Sequence, residues 1–214
     1  MFEKLGQDLR RCGNSPYQRV REVILSPGTW AVLGYRFRRW LFTTRAPRPV
    51  RWVLNIAAEL VQLLTNVATN IELPGSADIG PGLYIPHTGY IVVVSRAVIG
   101  RHCTLTQGVT IGHGGGGSKP RDGCPVIGDR VYVGPGSAII GPVTIGDDAL
   151  IGVGAVVIHS VPPRGVAVGN PARIISRAGS FDLIDYPGMD DDPDRLASLA
   201  EAEAERAGCA APSR

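Results

Sequence analysis

The sequence predicts a mainly β protein, a parallel β-helix of about four to five coils, preceded by α-helices and followed by an acidic tail. Two observations predict it. Between Leu73 and Val157 apolar residues recur every six positions, often with glycine next, as at Gly80, Gly100, Gly128 and Gly146. A period of six fits neither a 3.6-residue helix nor a two-residue alternation, but it is the period of short strands separated by turns in stacked coils. Outside that stretch the period disappears. We divide the chain into a helical segment 1–70, the coiled domain 71–177 with a loop at 112–126, and a tail 178–214.

The helical segment shows its starts. "SPYQRVREVI" offers Ser15 as a cap and Pro16 in the first turn. "SPGTWAVLGYRFRRWLF" and "PRPVRWVLNIAAELVQLLTNVATN" follow. In the last, Val53, Ile56, Ala57, Leu60 and Leu64 have the spacing of a helix with one buried face. Asn55, Glu59, Gln62 and Asn66 interrupt it, so it reads as a packed or interfacial helix and not a membrane span. Residues 1–52 are rich in arginine against only Glu3, Asp8 and Glu22, whereas the tail is acidic. That asymmetry fits either two solvated faces or a basic surface that attracts an anionic ligand or a membrane.

Within 71–177 the anchors run Leu73, Ile79, Ile85, Ile91, slip by two, and resume at Ile99, Leu105 and Ile111. A larger slip leads to Ile127, Val133, Ile139, Ile145, Ile151 and Val157. No coil buries its apolar side alone, so neighbours must stack. From Ile111 to Ile127 is ten residues more than the repeat needs. "HGGGGSKPRDGCPV" therefore leaves the coil as a loop, either a substrate cover or a surface insertion. "SVPPRGVAVGNPARII" gives a tight exit and a last strand. The tail is expected to be flexible, with a weak helix near "DRLASLAEAEAERA".

The totals exclude several functions. The chain has 214 residues, a net charge of +3 and 19% charged residues, too little basic character for a nucleic-acid binder. Cys12, Cys103, Cys124 and Cys209 form no C-x-x-C pair and no tight framework. That argues against a metal site and against disulfides, and for a reducing compartment. The N-terminus lacks a signal-peptide core, so a cytoplasmic protein is expected. On residues alone, His87 in "GLYIPHTGYIVV" is a turn histidine inside an apolar repeat.

"IELPGSADIGPGLYIPHTGYIVV", "LTQGVTIGHGGGG", "PVIGDRVYVGPGSAIIGPVTIGDDALIGVGAVVIHSVPP" and "GVAVGNPARII" together resemble the left-handed β-helix acyltransferases. They resemble most closely serine acetyltransferase and its relatives, over roughly residues 10–177. The resemblance implies a left-handed coil, acetyl-CoA as cosubstrate, no metal, and acetyl transfer to a hydroxyl. It puts His87 in the place of the general base, a role that suits an imidazole because its pKa lies near neutrality. It puts Glu72 in the place of the acidic partner, where the family more often has the shorter aspartate. It also implies a homotrimer with active sites between subunits, with a dimer of trimers as the larger form. Acetyl-CoA would lie along the coil, with Gly112, Gly134 and Gly152 allowing close approach and Arg173 meeting the nucleotide phosphates.

The sequence also departs from that family. Where the family has aspartate before the base, this chain has Pro86. Where it has an arginine–histidine pair before the proline that re-enters the coil, this chain has Gly123 and Cys124. Its N-terminal R-D-P-type motif is replaced by "RRCGNSP". A free amino acid needs a cation for its carboxylate and an anion for its ammonium, so the expected acceptor is a small hydroxyl compound other than serine, such as a sugar or natural-product intermediate. Arg121 and Asp122 lie near enough to substitute in part. Thr88 and Tyr90 offer neutral donors, and His113 and Cys124 are further candidate contacts. His113 and His159 read as non-catalytic, and His102 as structural. The alternatives are serine acetylation, N-acetylation of an amino sugar, and a non-catalytic β-helix that binds a partner.

Overall fold

The computed structural model describes residues 2–13, 15–44, 47–114 and 123–209. Four helices fill the N-terminal segment: α1 (Phe2–Arg11), α2 (Pro16–Leu25), α3 (Pro27–Thr43) and α4 (Arg48–Thr69). Ser15 caps α2 as its sequence suggests. Its hydroxyl accepts from the Gln18 N–H, and the Gln18 side chain accepts from the Ser15 N–H. Asn70 ends α4 in the left-handed region, φ 55°.

The coiled domain is a triangular stack of three sheets. The first face holds β1 (Ile71–Glu72), β3 (Ile91–Val93), β6 (Thr110–Gly112), β9 (Ala138–Ile140) and β12 (Val156–Val157). The second holds β2 (Asp78–Ile79), β4 (Val98–Ile99), β7 (Val126–Ile127) and β10 (Thr144–Ile145). The third holds β5 (Thr104–Leu105), β8 (Tyr132–Val133), β11 (Leu150–Ile151) and β13 (Val166–Val168). These strands pair in parallel, and β14 (Arg173–Ser176) closes the third face antiparallel to β13. The anchors point inward as the period of six requires: Ile79, Ile99, Ile127 and Ile145 are all fully buried in one column. Each coil covers the apolar side of the next, which is where the stability of such a stack resides.

The register corrects one reading of the repeat. The slip of two lies not after Ile91 but before it. Ile91 pairs with Ile71, whereas the partner of Ile111 is Val93. The Tyr84–Thr104 bridge sets Ile85 opposite Leu105. The corner from Ile85 to Val93 therefore spans eight positions, while those from Leu105 to Ile111, Val133 to Ile139 and Ile151 to Val157 span six. The two additional residues belong to the corner that holds His87.

Two further expectations are corrected. The face of α4 that packs against α3 is not the apolar stripe. Ala58 is buried, and Thr65 and Val61 meet α3 where Gly34 leaves room: a Cβ at residue 34 would lie 3.1 Å from Thr65 Oγ1. Val53, Ile56, Leu60 and Leu64 are exposed instead. The tail is packed rather than loose. Residues 178–188 climb the edge between the second and third faces. Ser180 N–H donates to Asp148 O at 2.8 Å and its hydroxyl to Arg130 O at 2.6 Å. Ile184 and Tyr186 are buried, and α5 (Pro193–Cys209) follows. Its acidic residues find cations on the coil: Arg164 Nη2 lies 3.2 Å from Glu201 and 3.0 Å from Glu205.

The helices are tied to the coil by buried polar contacts. Tyr35 on α3 donates its hydroxyl to Ala77 O and accepts from the Ile79 N–H, both at 2.9 Å. Arg36 forms a two-bonded ion pair with Asp8 on α1, at 2.7 and 3.0 Å, and donates to Ile79 O at 2.7 Å. No helix among the described residues is long and apolar enough to cross a membrane.

Candidate active site

The prism has three edges, and the candidate residues fall on two of them. His87, Thr88 and Tyr90 stand exposed on the edge from the third face to the first, on the first coil. Glu72 lies on β1, in the first face beside that edge, and points outward between the inward-facing Ile71 and Leu73. Its register partner is Val92, five residues after His87. Carboxylate and imidazole thus flank one corner, both open to solvent, with no hydrogen bond joining them. Catalytic hydrogen bonds are often long until substrate is bound. Glu72 also has a cation near it: Arg38 on α3 donates to Leu73 O at 3.0 Å and feels the charges of Glu59 and Glu72. Burial lowers the Arg38 pKa, and those two carboxylates oppose the shift.

The same edge continues down the stack. At the position of His87, two residues after the anchor, the next coils present Gln107, Pro135 and Val153. The sequence reading missed Gln107, although it shares that offset. Its Oε1 is buried without a hydrogen-bond partner, directly below the corner whose Gly89 O accepts from the Gly108 N–H at 2.8 Å. Gly134 and Gly152 also lie on this edge, and Arg173 sits exposed near its far end, paired with Val168.

The glycines have a structural use of their own. A Cβ on Gly134 would come 2.7 Å from Ile151 O, and one on Gly152 would come 2.7 Å from Val168 Cγ1. Both spaces are filled by the next coil, so these glycines permit close stacking of coils. Gly112 is separated from them altogether. It lies at the edge from the first face to the second, where a Cβ would meet Ile140 Cδ1 at 2.7 Å.

That second edge is also where the loop leaves. His113 and Gly123 meet at its base: the Gly114 N–H donates to Gly123 O, and a Cβ at residue 123 would come 2.5 Å from His113 Nε2. Cys124 Sγ donates to Ser95 O at 3.4 Å. Arg121 and Asp122 lie outside the described residues. One chain therefore holds His87, Thr88 and Tyr90 on one edge of the first face, and His113 and Cys124 on the other. Six residues of strand and turn separate the edges, at most about 20 Å at ~3.3 Å per residue.

The third edge is structural. His102 stacks on Tyr186 of the tail with ring centroids 3.9 Å apart. Its pKa is pulled down to about 4, first by burial and then by Arg11 and Arg101, with Asp192 and Asp129 opposing. Arg11 is spent on backbone, donating to Gly82 O at 2.7 Å, Cys103 O at 2.9 Å and Asp185 O at 2.9 Å. Burial pushes the Cys103 thiol up to about 12, far from a nucleophile's range. No group of metal-ligating side chains gathers among the described residues.

A family of bacterial transferases with six hexapeptide repeats matches residues 124–159. The chain is 37% identical over 169 residues to a serine acetyltransferase of Mycobacterium tuberculosis, covering 75% of this chain and 69% of the relative. It is 33% identical over 200 residues to the serine acetyltransferase of Synechococcus elongatus, covering 92% and 78%. Among solved structures, the serine acetyltransferase of Vibrio cholerae superimposes with a TM-score of 0.70 at 30% identity, covering 82% of this chain and 66% of the other.

Proposed function

This chain belongs to the serine acetyltransferase family and is an acyltransferase, and from that premise we propose an acetyl-CoA-dependent O-acetyltransferase with L-serine as its acceptor. The observation that supports this reading is the widened corner, where His87 stands in the open with Glu72 on the adjoining strand. The acceptor hydroxyl attacks the thioester carbonyl carbon while the His87 imidazole takes its proton. The carbon–sulfur bond then breaks, and the imidazolium returns the proton to the leaving thiolate. Glu72 stabilises that cation and holds the ring's orientation, as carboxylates do in hydrolase triads. Acetyl-CoA runs down the edge from His87, past Gln107 and towards Arg173. That path is five strand steps, roughly 24 Å at ~4.8 Å per step.

The split of candidate residues between two edges favours a homotrimer, in which the first edge of one subunit faces the second edge of its neighbour. The exposed stripe on α4 favours the same reading. Val53, Ile56, Leu60, Leu63 and Val67 alternate spacings of three and four, the pattern of a helix seam, and a second copy's helix fits it.

A second reading of the acceptor rests on Pro86, Gly123 and Cys124. None of them is charged, and Gly123 lies so close to the His113 ring that a longer side chain would displace it. With a free amino acid, each missing charge-assisted bond costs about 1.5–3 kcal/mol. That favours an uncharged hydroxyl compound. Release of CoA thiol with serine, homoserine and a panel of glycosides separates the two. His87→Ala is expected to lower turnover about 10²–10⁴-fold on the best acceptor while CoA still binds. Full turnover by that variant refutes the base assignment.

A further inference from the structure

A cavity of about 360 Å³ lies on the third edge, away from both edges of the candidate active site. That is room for a ligand of metabolite size. Three distant parts of the chain line it. Helix α1 contributes Gln7 and Arg10, the coil Arg101 and His102, and the tail Tyr186 and Asp192. In the ring proposed above, the first face turns both of its edges to neighbours, so the third edge points outward. Acetyl transfer by His87 makes no use of this cavity.

The charges around it do not cancel. The carboxylate in the lining is Asp192, and its oxygens are engaged: they accept from the Tyr186 hydroxyl at 2.7 Å and from the Asp194 N–H at 3.0 Å. Arg101 is held by Asp129 at 2.8 Å and by Asp194. Arg10 is exposed and has no partner among the described residues. Beside His102, Arg11 is a second cation with no carboxylate bonded to it. It donates to three carbonyls and the Thr104 hydroxyl, and Asp185 is the acid whose charge reaches it. The His102 ring is neutral, and its Nδ1 is buried without a partner. Nε2 is the ring nitrogen left open to hydrogen bonding. A cleft with unmatched cations concentrates its field and draws in anions.

We propose that this cavity binds a small organic dianion, a phosphate ester or a dicarboxylate, with Arg10 as its cation and the Gln7 amide and His102 Nε2 as neutral donors. The forked N–H groups of arginine suit either anionic group. Because the lining comes from both ends of the chain, the ligand ties the docked tail to α1. The inference stands apart from the catalytic reading, and its failure leaves that reading untouched.

The test is calorimetric titration of the full-length protein in saturating CoA, with glycerol 2-phosphate and malate as ligands and glycerol as the neutral control. At least one dianion is expected to bind with a Kd below about 1 mM, and glycerol is not. The better ligand should raise Tm by about 5–10 °C at a hundred-fold excess over Kd. Hydrogen exchange should slow in Phe2–Arg11 and in residues 183–192, the two walls the ligand joins. Arg10→Ala should weaken binding about 10-fold or more, with the Tm of the free protein unchanged because the side chain is exposed. Arg10→Lys should keep part of the affinity, and Gln7→Ala should lose a smaller part. Which dianion binds tells a phosphate ester from a dicarboxylate. Binding of neither overturns the proposal. So does affinity that is the same in Arg10→Ala and Gln7→Ala as in the wild type. Binding that CoA abolishes would place the anion on the catalytic edge and overturns it equally.

Discussion

At the scale of single residues, His102 shows how a histidine is used for structure. Its ring lies flat on Tyr186, and Arg11, Arg101, Asp129 and Asp192 are the charges around it. Burial and the two arginines hold its folded pKa near 4, below the value of 6.5 expected when unfolded. The unfolded chain therefore binds more protons between those values, and stability must fall as pH drops from about 6.5 towards 4. Tm measured across that window should decline in the wild type. It should decline less in His102→Asn, a residue that tolerates the left-handed turn at φ 57°. An equal decline in both would remove His102 as the cause. The sequence reads His102 as structural. It could not show the stacking, because Tyr186 is distant in sequence and lies in a tail whose acidic composition suggested disorder. Gln107 was legible in principle, at the same offset from its anchor as His87. Nothing in the residue type showed that its oxygen would be buried without a partner.

At the scale of elements, α1 is held to the coil by Asp8 as well as by Arg11. Asp8 accepts two bonds from Arg36 of α3 and one each from the Gly82 and Leu83 N–H groups, at 2.7 and 3.0 Å. Both side chains of the ion pair are 4% exposed. Asp8→Ala leaves the Arg36 guanidinium buried without its counter-ion, and such losses cost about 3–5 kcal/mol. Denaturant unfolding of that variant should show a loss of this size, and a change below about 1 kcal/mol would mean that water replaces the carboxylate. The helices were legible because capping residues and spacing are local signals, as Ser15 and Gln18 show. The buried side of α4 was not. An apolar stripe states which side chains leave water when they can, and it does not state what covers them. Likewise Ile91 and Val93 are both apolar and buried, so only pairing could reveal which one partners Ile111.

At the scale of the whole molecule, the period of six gave the prism and the order of its faces, but the site itself depends on which edges meet. His87 is on one edge of the first face, and Cys124 with His113 on the other. In the homotrimer proposed above, a closed head-to-tail ring of three would bring the first edge of one subunit against the second edge of the next. Two defective variants test that geometry. His87→Ala removes the proposed base. Cys124→Trp fills the space at the base of the loop, where the thiol donates to Ser95 O. Each homotrimer should be inactive. Co-assembled in equal amounts, an interface regains function only where an intact His87 meets an intact Cys124 edge. Random assortment yields that for about one quarter of the interfaces. Recovery of roughly that fraction of wild-type turnover, in a particle of three subunits by light scattering, is the expected outcome. Activity in Cys124→Trp alone, or a mixture no more active than its parts, would mean that the two edges do not share a site, and that the catalytic corner is complete within one chain.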